Sequence, residues 1–184
     1  MTSRVGPSVP SPDSDSLEGA IRKAVRKAYK HDAALVGDQN HERAVMFQVG
    51  RYLAADVDGW PGPWHVDLEY NRMHDDALEV VSKRLSDTPW YRDGSVIPDL
   101  IVHDRRESSA RANLLVLEAK LRPSSAERMS DCAKLAAYLE ELDYQYAVFL
   151  EFPLYPAPPR WAWFTSPDDV ARMVDNAAVP VPLW

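Results

Sequence analysis

Two stretches of the 184-residue chain carry ionisable side chains inside otherwise apolar runs. "VIPDLIVH", residues 96–103, contains Asp99, and "ANLLVLEAKL", residues 112–121, contains Glu118 and Lys120. Both runs are bounded by polar segments, the pattern of strands at the centre of a sheet. Alternate residues of a strand share a face, so Glu118 and Lys120 point the same way, and a neighbouring strand carrying Asp99 would bring a second carboxylate beside them. Ions taken out of water cost several kcal/mol each unless they are partnered. Two adjacent carboxylates repel, and a hard cation such as Mg²⁺ or Mn²⁺ relieves that repulsion through oxygen ligands. A lysine beside them does what a ligand cannot: its ammonium positions or helps to activate a water and offsets charge on a phosphate under attack. These three residues therefore suit metal-assisted hydrolysis of a phosphate ester. The plainer alternative is an ion-pair cluster at the rim of a sheet.

The elements that must position them follow from periodicity. Residues 1–16, rich in Ser, Pro and Asp, are expected to form a flexible tail, and residues 17–184 a single domain. Leu17, Ile21, Val25 and Ala28 fall at helical spacing and predict a helix over 17–36. A second helix is expected from Asp38 or Asn40, either of which could cap it, with Val45, Met46, Val49 and Leu53 as its apolar stripe and Glu42 in its first turn. After the turn "GWPGPW", alternation over 65–72 predicts a strand ending at Asn71 and Arg72. Residues 74–86 suggest a short helix through Leu78, Val81 and Leu85, and 86–95 a loop. Beyond the two charged strands come a Ser-capped helix over 124–142, a strand over 144–152, an edge strand over 161–166 and a last short helix from Pro167. The order gives a mixed α/β domain whose central sheet is flanked by helices.

Composition narrows the class. Hydrophobic residues make up 46% of the chain, enough for one substantial core. No apolar run is long enough to span a membrane and the start lacks a secretory pattern, so a soluble, cytoplasmic protein without membrane contact is expected. The lone Cys132 cannot form an internal disulfide. A formal net charge of -7 is unlike that of a typical nucleic-acid binder. Locally, "IRKAVRKAYKH" at 21–31 carries five Lys or Arg and no acid, and reads either as a phosphate-facing patch or as a solvated helix face. His41, His65, His74 and His103 show no metal-ligand spacing, and Trp60, Trp64, Trp161 and Trp163 are expected to pack rather than to stack on bases.

Pro98-Asp99 and Glu118-Ala119-Lys120 resemble the signature of the PD-(D/E)XK nuclease superfamily, the restriction-endonuclease-like fold. Its core order, αβββαβ, is similar to the order read above from residue 40 to residue 152. The resemblance implies Asp99 and Glu118 as ligands of Mg²⁺ or Mn²⁺, the Ala119 carbonyl as a further ligand, and Lys120 as the catalytic lysine. Glu42 matches the glutamate that many members bring from the first core helix, and is equally a first-turn acid of its own helix. Asn71 and Arg72, and Asp131 with Lys134 on one helix face, look like substrate contacts of the less studied bacterial members; a surface pairing and an ordinary helix ion pair are the alternatives. The implied activity is a metal-dependent nuclease acting on DNA. A nuclease-fold module that binds a protein partner or another copy of itself without catalysis, and a hydrolase of RNA or nucleotides, remain open.

Overall fold

The computed structural model describes residues 12–38, 41–74, 80–82, 84–86, 96–106, 112–175 and 180–184. Helix α1, Ser14–His31, begins inside the stretch expected to be tail, because the Asp13 side chain accepts from the Ser16 N–H at 2.8 Å and caps it. The helix expected over 17–36 is two helices: the Asp32 N–H closes α1 on the Ala28 carbonyl, and α2, Ala33–Asp38, follows. Helix α3, Glu42–Val57, has His41 at its N-cap with no side-chain cap bond. Asp38 instead ends α2, and Asn40 lies outside the described residues.

Strand β1, Trp64–Leu68, stops short of the expected residue 72, because the chain turns at Glu69, where φ is 49°. A separate two-stranded hairpin follows, β2, Arg72–His74, paired with β3, Val80–Ser82. It stands where a helix was expected over 74–86. Val80 and Val81 are β-branched and suit a strand, and so short an apolar run has no period that separates helix from strand; Leu78 lies outside the described residues. Most of the loop expected over 86–95 does too.

Strand β4, Leu100–Asp104, begins only after Pro98, which has no N–H to give a ladder. It is followed by β5, Asn113–Leu121, α4, Ser125–Glu141, and β6, Tyr146–Phe152. Strand β7, Arg160–Phe164, leads to α5, Pro167–Asp175, and to β8, Val181–Pro182. Strand β7 was expected at the edge, but β8 pairs with it at Arg160 and Trp161. The six-stranded sheet has the order β1-β4-β5-β6-β7-β8 and is antiparallel except for the parallel β5–β6 pair, which α4 joins.

Helices α1 and α3 cover one face of the sheet, burying Leu115, Leu117, Ala119, Val148 and Leu150. Helix α4, with α5 against it, covers the other over Ile101, Val116, Ala147 and Phe149. Strand β5 is buried from Asn113 to Ala119 and emerges from the core only at Lys120 and Leu121. By alternation Glu118 and Lys120 share the Val116 face, toward α4. No helix among the described residues is long and apolar enough to cross a membrane.

Candidate functional site

Three elements meet where β5 leaves the core. The β4–β5 register sets Leu100 opposite Leu117, so Asp99 comes alongside Glu118, and its Oδ2 accepts from the Ala119 N–H at 2.7 Å. From the first turn of α3, Glu42 reaches the same strand end: it accepts from Lys120 Nζ at 3.1 Å and from the Leu121 N–H at 3.0 Å. From α4, Asp131 stands 3.8 Å from Lys120 Nζ and 2.6 Å from Lys134 Nζ, and Lys134 lies 3.5 Å from Glu118. A capping box at the start of α4 fixes the helix that carries them, with Ser124 and Glu127 each bonding the other's backbone N–H. The structure thus gathers Glu42, Asp99, Glu118, Lys120, Asp131 and Lys134 into one cluster. Ala119 is engaged through its N–H.

The cluster is short of positive charge and of hydrogen bonds. Glu118 is 2% exposed, and Asp131 is buried beside it. Burial pushes the Glu118 carboxyl up to about 8; Lys134 opposes this, while Asp99 and Asp131 add to it. Burial likewise raises Asp99, against the Ala119 N–H and Lys120. Both lysines keep their charge: burial alone would lower Lys120, but Asp131 and Glu42 hold it above its ordinary value, and Glu118 and Asp131 likewise push Lys134 up to about 12. Glu118 Oε1 and Asp131 Oδ2 are buried without a hydrogen-bond partner, an arrangement that calls for an explanation in a native protein.

These features fit a divalent cation. Four carboxyl groups face two ammonium groups, so the fully ionised cluster is short by two positive charges. The donors are hard oxygens, as Mg²⁺ prefers. Asp99 Oδ1 and Glu118 Oε1 remain for such an ion, whereas both Glu42 oxygens are engaged. Among the described residues no three His, Cys, Asp or Glu side chains stand ready to hold a metal as they are; Lys120 and Lys134 lie between the carboxylates.

Asn71 and Arg72 are not carried to this point by the sheet. They lie beyond the turn at Glu69, Asn71 half-buried and Arg72 exposed in the β2–β3 hairpin. The basic stretch of α1 is largely engaged within the protein: Lys23 pairs with Asp56, Arg22 stacks over Trp161, Arg26 lies near Trp184 and Lys27 near Tyr52. Sequence reasoning passed over Glu151. It pairs in register with Lys120, is buried, and is bound by Arg128 of α4 at 2.8 Å. Its signal was the same as that of Glu118, an acid inside the apolar run "YAVFLEF". Also missed was a pocket of about 230 Å³ beside Asp99, lined by Glu42, Arg43, Met46, Phe47, Leu68 and Glu69.

No protein-family model and no curated protein matches the chain. Among solved structures, the crystal structure of SSO0001 aligns with 88% of this chain and 71% of its own at 14% identity, with a TM-score of 0.38. A likeness of that degree carries no argument about fold family or function.

Proposed function

We propose that the chain is a Mg²⁺-dependent nuclease that hydrolyses phosphodiester bonds in DNA, on a core of the restriction-endonuclease-like type. The observation that carries this reading is the convergence of Asp99, Glu118, Lys120 and Glu42, from three separate elements, at the point where β5 leaves the core. The order α3, β1, β4, β5, α4, β6 supports it, with the β2–β3 hairpin as an insertion between the first two strands of the core.

Asp99 and Glu118 would hold the ion through the oxygens they keep free of hydrogen bonds, with Glu42 joining if Lys120 moves. Bound there, Mg²⁺ would polarise a phosphate oxygen and make water a better nucleophile. Lys120 keeps its proton, so its role is that of a cation and hydrogen-bond donor: it orients the attacking water and offsets charge on the phosphate. Asp131 steadies both ammonium groups from α4. With an acidic chain, attraction to DNA has to be local, and binding should weaken steeply as salt rises.

The experiment is calorimetric titration with Mn²⁺ or Mg²⁺, together with cleavage of single-stranded, double-stranded and branched DNA, on wild type and Lys120→Ala. Cleavage that survives this substitution unchanged would remove the mechanism. Metal binding that persists when Asp99 and Glu118 are both alanine would remove the site. A second reading, a nuclease-fold module without catalysis, is favoured by the way Lys120 and Lys134 already occupy the space between the carboxylates. It requires that wild type take up neither ion.

A further inference from the structure

The pocket beside Asp99 shares two walls, Glu42 and Asp99, with the carboxylate cluster, but its chemistry differs. Met46 and Phe47, one turn on from Glu42 and Arg43, form an apolar wall, and Leu68 at the end of β1 forms the opposite one. Gly50 suits that closure: a Cβ there would stand 3.0 Å from a Leu68 methyl, so the Leu68 side chain would have to give by a few tenths of an ångström. Phe47 is 56% exposed, an aromatic face left open to solvent at the mouth of the candidate centre. Arg43, bound to Glu69 at 2.6 Å, closes the rim.

We infer that this pocket receives one unpaired nucleobase of the strand being cut, so that the substrate is single-stranded or locally unpaired DNA. The inference rests on the phosphodiesterase reading of the adjoining cluster and adds the substrate's form to it. A phosphate is disfavoured in the pocket because Glu42, Glu69 and Asp99 line it against one cation, Arg43, which Glu69 already binds. A base is suited to it: the ring is neutral, and its faces stack on Phe47 and slide against Met46 and Leu68. The volume is below the usual range for a drug-sized ligand, which suits one ring system and leaves no space for a base pair. Because the pocket touches Asp99, the base it holds belongs to a nucleotide next to the phosphate at the metal ligands.

The test compares two ligands with the same phosphate charge: an oligothymidylate, and a backbone of equal length built from abasic tetrahydrofuran units. Binding is measured by fluorescence anisotropy at low salt in EDTA, and cleavage separately in Mn²⁺, for wild type, Phe47→Ala and Phe47→Leu. Wild type should bind the oligothymidylate about tenfold or more tightly than the abasic backbone, the scale of one base stacked on one aromatic ring. Phe47→Ala should lose most of that preference and Phe47→Leu part of it. Equal binding of the two ligands by wild type, a preference that survives Phe47→Ala intact, or a preference for duplex over single strand would each overturn the inference. The EDTA measurement separates the two ideas: a base preference that depends on Phe47 without any cleavage in Mn²⁺ supports the pocket and removes the nuclease, whereas cleavage indifferent to bases removes only the pocket.

Discussion

Strand β4 has a charged cluster at each end, and the two have opposite character. At the far end His103 and Arg105 both bond Asp67 of β1, at 2.8 Å to its Oδ2 from His103 Nε2 and from Arg105 Nε, and at 2.5 Å to its Oδ1 from Arg105 Nη2. Burial works against the Asp67 carboxylate, but those bonds and the guanidinium outweigh it and hold the group well below the usual range. At the near end burial prevails: Asp99 and Glu118 are raised, and Glu118 keeps an unpartnered oxygen. The first cluster is complete in itself, as a structural ion pair should be. The second leaves buried oxygens of Glu118 and Asp131 without a partner, and raised carboxyls in a cleft are a mark of functional sites.

The contrast can be broken most sharply by activity. Lys120→Ala should lower DNA cleavage roughly a hundred- to a thousandfold in initial-rate assays with Mn²⁺, the scale of losing one donor that stabilises developing charge. Arg105→Ala, at the other end of the strand, should leave the rate as it was. A comparable loss from both variants would mean that cleavage reports only folding.

The next effect is on stability against pH. Glu118 holds its proton to about 8 in the folded protein, against 4.5 as its ordinary value. The folded state therefore binds that proton more tightly; the stability it contributes is full below about pH 4.5 and is lost as pH rises through 8. At about 1.4 kcal/mol per unit the whole change is of order 5 kcal/mol. Urea unfolding at pH 5 and pH 9 should show wild type weakening at the higher pH, and Glu118→Gln, which cannot ionise, should show a much smaller drop. Asp67 has the opposite sign: its contribution is present above the ordinary carboxylate value and is lost as pH falls below it, so Asp67→Asn should flatten only the acid limb. An acid limb that is unchanged in Asp67→Asn would undo the distinction between the two ends.

The smallest expected effect concerns the frame. Ser124→Ala removes half of the capping box of α4 and should cost about 1 kcal/mol in thermal or chemical unfolding. If Asp131 and Lys134 need α4 held firmly, cleavage should fall more than stability does. A matching fall in both would make the cap purely structural.

Much of the cluster was legible in the sequence because strand and helix periods are local rules. Glu118 and Lys120 share a face because a strand repeats every two residues, Asp131 and Lys134 because a helix brings neighbours three apart together, and Ser124 with Glu127 spells out a cap. Glu42 was placed by its position in the first turn of α3, and the structure sets it against Lys120. Asn71 and Arg72 were assigned to a strand end that the turn at Glu69 removes. Nothing local announced that turn, since alternation continues through the sequence after the strand has ended. The break of the first helix at Asp32 and the β2–β3 hairpin were hidden for the same reason: short segments follow their tertiary partners more than their own propensities.

By itself the sequence determined that acids and lysines would sit in buried strands and helices at fixed local spacing. Local backbone geometry alone is enough for that. Only the tertiary structure decided that Glu42, from seventy-eight positions earlier, accepts a hydrogen bond from Lys120, that Arg128 completes Glu151 while Glu118 keeps a bare oxygen, and that Phe47 stands open beside Asp99. Those facts depend on which surfaces desolvate one another. Burial, which raises the carboxyls of Asp99 and Glu118, is a property of the packed chain and of no segment of it.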